Sequence, residues 1–208
     1  MAIEALRKKS PRQVHDDISA YAERYTDHDW RAWLGAGEEG RAALFGSLLR
    51  KWQATRPLAM RRVREDAAHE PPFLDELLAV ALKELPVLGD LTVMTIPTRT
   101  ADQTDALDRL WHILRQLPTS GAATCVGITK AVLLVTDGRI GPALDSQVRR
   151  ALHVARAKTC EAWLTFLQDV AEDIAAFEAM HGTLSEAAPP QWAHVGYGRL
   201  YDMALGPR

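Results

Sequence analysis

Trp163-Leu164-Thr165-Phe166-Leu167-Gln168-Asp169-Val170-Ala171-Glu172-Asp173-Ile174-Ala175-Ala176-Phe177 is the stretch whose reading decides the fold. Trp163, Phe166, Leu167, Val170, Ile174 and Phe177 recur at three- and four-residue spacings, which places them in one stripe along a helix. Gly182 follows as a natural helix terminator. An amphipathic helix with so apolar a face has to bury it against other elements. The aromatic side chains on it therefore read as core rather than as contacts to a cofactor.

The same period recurs outward from this stretch. Ser10-Pro11-Arg12-Gln13 reads as a capping box with proline at the first helical position, followed by Val14, Ile18, Tyr21, Ala22 and Tyr25 on one face. Leu44, Leu48, Leu49 and Trp52 mark a helix that stops before Pro57, and Phe73, Leu74, Leu77, Leu78, Ala81, Leu82 and Leu85 mark one between Pro72 and Pro86. Thr100 and Gln103 form a second capping box ahead of Leu107, Leu110, Trp111, Leu114 and Leu117. Two segments read differently. Leu91–Ile96 alternates with β-prone residues, and Val132–Thr136 before Asp137-Gly138 has the form of a buried strand and turn, so an α/β fold is the alternative. Two strands are few for a parallel sheet, and the reading is all-α. Residues 1–208 form a single helical domain, or two helical halves with a cleft between them.

With 47% hydrophobic and 25% charged residues the chain is a globular one and not a disordered one. Its apolar runs, such as Ala131–Val135, are too short to span a bilayer, so no membrane partner is expected. The basic start at Arg7, Lys8 and Lys9 has no apolar segment behind it, so no secretory signal is expected. Cys125 and Cys160 have neither metal nor disulfide spacing and suggest reduced thiols in the cytoplasm. Arg41, Arg50, Lys51, Arg56, Arg61, Arg62 and Arg64 form an acid-free basic stretch, while Asp169, Glu172, Asp173 and Glu178 gather on a later helix. That asymmetry suits a polyanion partner, although solvated helix surfaces also produce it. The seven histidines lack metal-ligand spacing, and there is no P-loop, nucleophile elbow or dinucleotide fingerprint. No metal or cofactor is expected, and Cys125 with His112 has no local support as a catalytic pair.

The chemistry-bearing stretch is Cys125-Val126-Gly127-Ile128-Thr129-Lys130-Ala131, continuing through Asp137-Gly138-Arg139 to Pro142-Ala143-Leu144-Asp145-Ser146-Gln147-Val148-Arg149-Arg150-Ala151-Leu152. It resembles the helix-hairpin-helix DNA glycosylase superfamily over about thirty residues, with a helix-hairpin-helix-like element around 117–152. Val126-Gly127 is similar to the end of that family's hairpin, and Ala131 to the small residue of the next helix. Pro142–Asp145 and the following Val148–Leu152 are similar to the segment bearing its essential aspartate. Tyr201-Asp202-Met203 resembles bacterial proteins described as 8-oxoguanine-DNA-glycosylase-like.

The resemblance implies an N-glycosylase that removes a modified or damaged base from DNA. In that reading Asp145 stabilises positive charge on the sugar as the base departs. Lys130 is the candidate amine nucleophile, its charge disfavoured by a helix N-terminus and apolar neighbours. Gly127, Thr129, Arg139, Arg149, Arg150 and Trp111 are the candidate DNA or base contacts, with Trp163 and Trp192 as further aromatic candidates. The chain departs from the family pattern in one telling way. The family's lysine stands two residues before the small residue, where this chain has Thr129, and a one-residue shift turns Lys130 by about 100° around the helix. Two cysteines also cannot hold a four-cysteine iron–sulfur cluster. Each residue has a plainer role too: Asp145 as an N-cap, Lys130 as a solvated side chain, and Gly127 and Gly138 as positive-φ turn glycines. A non-catalytic nucleic-acid binder and a helical protein-interaction module are the rival readings.

Overall fold

A computed structural model describes residues 3–24, 28–55, 74–118 and 123–206, and every regular element among them is helical. The all-α reading is correct. Helix α1 spans Pro11–Arg24, α2 His28–Gly35 and α3 Glu38–Lys51; α4 spans Leu74–Leu82 and α5 Leu85–Leu88. A 3-10 segment, Val93–Thr98, leads to α6, Ala101–Leu114, and α7, Cys125–Val135. Then come α8, Ser146–Leu152, α9, Cys160–His181, α10, Leu184–Ala187, and α11, Tyr197–Ala204. Tyr25, Phe73, Arg56, Arg61, Arg62 and Arg64 lie outside the described residues.

Both sequence capping boxes form. Ser10 and Gln13 exchange hydrogen bonds at the start of α1, and Thr100 and Gln103 do so at α6. Pro86, expected to end a helix, instead sits in the first turn of α5, where its missing N–H costs nothing. The two strand-like segments are helical. Leu91–Ile96 feeds the 3-10 segment, whose buried Val93 and Ile96 are three residues apart, the period of that helix. Val132–Val135 is the end of α7 with Thr136 as its C-cap, and the unbroken apolar run reflects burial on nearly all sides.

Helix α7 is the centre of the fold. It packs against α3, α4 and α6. Only Val126 and Lys130 among its residues escape full burial, and their four-residue spacing makes them one strip on one face. The long α9 packs on the 3-10 segment, and α11 packs on α1. Gly198 lies in the first turn of α11. A Cβ there would collide with the backbone of Gly141, so glycine is what lets α11 press against the loop between α7 and α8.

Asp173 corrects the expected acidic surface on α9, because it is fully buried. Its carboxylate accepts the backbone N–H groups of Ala5, Leu6 and Arg7, the Arg7 Nε and the Tyr201 hydroxyl at 2.8 Å. One carboxylate thereby ties the N-terminal segment, α9 and α11 together. Among the described residues no helix is long and apolar enough to cross a membrane.

Candidate functional site

Asp145 follows from local chemistry first. It is the N-cap of α8 with an extended backbone, and its Oδ1 accepts from the N–H groups of Gln147 and Val148, both at 2.9 Å. That leaves Oδ2, which lies 3.6 Å from the Lys130 Nζ. The ammonium also donates to the Trp52 carbonyl at 2.7 Å, at the C-terminal end of α3. Lys130 is 17% exposed and Asp145 26%, so the pair is sheltered yet reachable.

The one-residue shift does not turn Lys130 away, as the helix rotation had suggested. Thr129 is the residue that faces inward, 1% exposed. Its hydroxyl donates to the Cys125 carbonyl at 2.7 Å and accepts the Leu144 N–H at 2.8 Å. Thr129 therefore fixes the residue next to Asp145. With Thr129 inward, Lys130 is left on the open strip of α7, pointed at the carboxylate.

Lys130 and Asp145 line one cleft of about 620 Å³. Its walls come from α1 with Tyr21 and Arg24, α2 with Asp29, the end of α3 with Lys51, Trp52 and Gln53, α8 with Arg149, and α11 with Arg199 and Asp202. Arg156, from the loop after α8, completes the rim. Six cations and three carboxylates thus face one space, and the cleft carries a positive excess.

Arg199 forms part of its floor, 9% exposed. Its guanidinium lies over the rings of Tyr21 and Trp30 at 5.0 and 5.1 Å, and its Nη1 donates to Asp202 at 2.8 Å and to the Tyr21 hydroxyl at 3.2 Å. Burial opposes its charge, but Tyr21 and Asp202 outweigh burial and raise its pKa above the ordinary arginine value. Trp52 reaches the cleft, as Tyr21 does. It is half-buried and stacked on the buried Trp30 with centroids 6.2 Å apart.

Several expected contacts have other roles. Trp111 and Trp163 are buried and stacked on each other at 5.5 Å, and Trp192 is also buried. Gly127 is not a positive-φ turn residue at the end of a hairpin. It lies in the first turn of α7, where an added Cβ would stand 2.9 Å from the Ala54 carbonyl oxygen. Gly138 does have positive φ, at 79°. Arg139 donates from its Nη1 to the Gly89 carbonyl and from its Nε to the Thr136 carbonyl at 3.2 Å, so it binds the fold to itself. Arg150 is exposed on α8 but lies outside the cleft lining. Of the basic stretch, Arg41 pairs with Asp137 at 3.1 Å and Lys51 with Asp29 at 2.8 Å. Among the described residues no group of three or more His, Cys, Asp or Glu has the arrangement to hold a metal ion.

Tyr21, Trp52, Arg156, Arg199 and Asp202 were not identified as site residues from the sequence. Arg156 had a signal, because residues 146–160 contain no acid. Comparison with known protein families, with curated proteins and with solved structures finds no match.

Proposed function

We propose that the chain is a DNA N-glycosylase-like enzyme that releases a modified base, using Lys130 as nucleophile and Asp145 as the carboxylate beside the reacting sugar carbon. The observation that carries this reading is the Lys130–Asp145 pair, 3.6 Å apart in one reachable cleft with a positive excess. An amine attacks only after losing a proton, and Asp145 Oδ2 is placed to accept it. The amine then forms a bond to the sugar C1′ while the base leaves with the electron pair of the glycosidic bond and takes the proton from Asp145, which is a carboxylate again. As the sugar ring opens, the second amine proton passes by way of Asp145 to the ring oxygen, and an iminium is left. The Asp145 carboxylate stabilises the cationic character that builds on the sugar, and it does so most strongly in a sheltered site. A cleft of this size accommodates one extruded nucleotide. Trp52 offers the base an aromatic face backed by Trp30.

Asparagine at 145 separates charge from capping, since its side-chain oxygen keeps the bonds to Gln147 and Val148. With duplexes each carrying one modified base, Asp145→Asn is expected to lose base release by at least about 100-fold, the scale of a single electrostatic group, at unchanged thermal stability. Borohydride is expected to trap wild type covalently on abasic DNA and to trap nothing with Lys130→Ala. Base release at the wild-type rate in Asp145→Asn removes the carboxylate from the chemistry. DNA binding retained in that variant, with no base release by wild type, leaves the non-catalytic binder.

A further inference from the structure

The three carboxylates of the cleft are each taken by a cation of the cleft: Asp29 by Lys51 at 2.8 Å, Asp145 by Lys130 at 3.6 Å, and Asp202 by Arg199 at 2.8 Å. The other three cations are Arg24, which has a partner of its own, Arg149 and Arg156, and neither Arg149 nor Arg156 makes an ion pair among the described residues. The Arg149 Nε is buried without an acceptor. Both line the cleft that holds Lys130 and Asp145. Burial raises the pKa of the Cys125 thiol in the first turn of α7, and the positive charges of Arg156 and then Arg149 pull it the other way. The N-cap of that helix, Thr124, makes no side-chain cap bond, and the positive helix end adds to the same field. Arg149 stands one helical turn beyond Asp145, on the same face of α8.

From this we infer that Arg149 and Arg156 form an anion subsite that holds one phosphate group next to the Lys130–Asp145 pair. It rests on the nucleic-acid reading for the source of the phosphate, namely the phosphodiester flanking the nucleotide in the cleft. Arginine suits the task, because its planar fork of donors matches phosphate oxygens. Neither guanidinium has to give up a protein carboxylate to bind.

The experiment measures binding of wild type, Arg149→Ala, Arg156→Ala and the double variant to a fluorescein-labelled duplex with an abasic site, by anisotropy across a salt series. One phosphate lost lowers the slope of log K against log salt by about 0.9. The double variant is expected to lose about that much and no more, because both arginines serve one phosphate. Arg149→Lys with Arg156→Lys keeps the charge and is expected to restore most of the slope, which separates charge from packing. Thermal shift with inorganic phosphate distinguishes the source. If wild type ignores the duplex but is stabilised by inorganic phosphate, and the double variant is not, the subsite stands and the glycosylase reading falls. An unchanged slope in a folded double variant that binds the duplex overturns the subsite and leaves the glycosylase reading in place. Wild type that responds to neither probe overturns both.

Discussion

At the scale of single residues, caps were legible and orientations were not. Ser10, Thr100 and Asp145 all serve as read from the sequence, because an N-cap needs only its own helix. Which way Lys130 points depends on what surrounds α7, and that information lies far along the chain. Thr129 shows the difference: its partner Leu144 is fifteen residues away. Thr129→Val removes the acceptor for the Leu144 N–H at nearly constant volume. It is expected to lower unfolding free energy by about 1–3 kcal/mol, the cost of a buried group left unpaired, checked by urea denaturation. If Thr129 positions Asp145, base release should fall in the same variant with little change in DNA affinity. Cys160 is deeply buried, its thiol pushed up to about 12 chiefly by burial and then by Asp108. It is expected to stay unreactive toward maleimide in the folded protein.

At the scale of elements, helix type was legible where the apolar stripe was one-sided, as in α9, and ambiguous where burial was complete, as in the second half of α7. An unbroken apolar run reads the same for a buried strand and a buried helix. The contact of α7 with the end of α3 has a consequence for the site. Gly127 allows α7 to approach the Ala54 carbonyl, and one turn later Lys130 donates to the Trp52 carbonyl of the same segment. Gly127→Ala adds a methyl that the Ala54 backbone must move to admit. An overpacking cost of about 1–3 kcal/mol is expected, with loss of the Lys130 tether. Thermal melts check the first, and the yield of the borohydride-trapped adduct checks the second. Trapping at wild-type yield would separate the tether from the chemistry.

At the scale of the whole molecule, Asp173 joins segments that are distant in sequence, and the Tyr201 hydroxyl is one of its donors. Burial, with the Asp173 charge second, raises the Tyr201 pKa well above the ordinary value of about 10. Tyr197 is raised too, first by burial and then by Glu178. Below the unfolded value both states hold these protons. Above it the unfolded chain releases them while the native state cannot, so stability is lost as pH rises from about 10 toward the raised native values. The urea midpoint is expected to fall steeply in that range, and Tyr201→Phe to flatten the fall. Asp173→Ala leaves the buried Leu6 N–H and Tyr201 hydroxyl and the part-buried Ala5 and Arg7 N–H groups without an acceptor, and a loss of at least about 3 kcal/mol is expected. The sequence by itself determined that the chain is helical, where most helices begin, and which segment carries a carboxylate worth noticing, because period, caps and turns act over a few residues. Only the tertiary structure decided that Lys130 meets Asp145, that Trp111 is core while Trp52 reaches the cleft, that Arg139 binds backbone carbonyls and that Arg156 lines the same cleft as Arg149. Such outcomes depend on which surfaces are left open once every apolar stripe has found its partner, and no short window of sequence contains both sides of that contact.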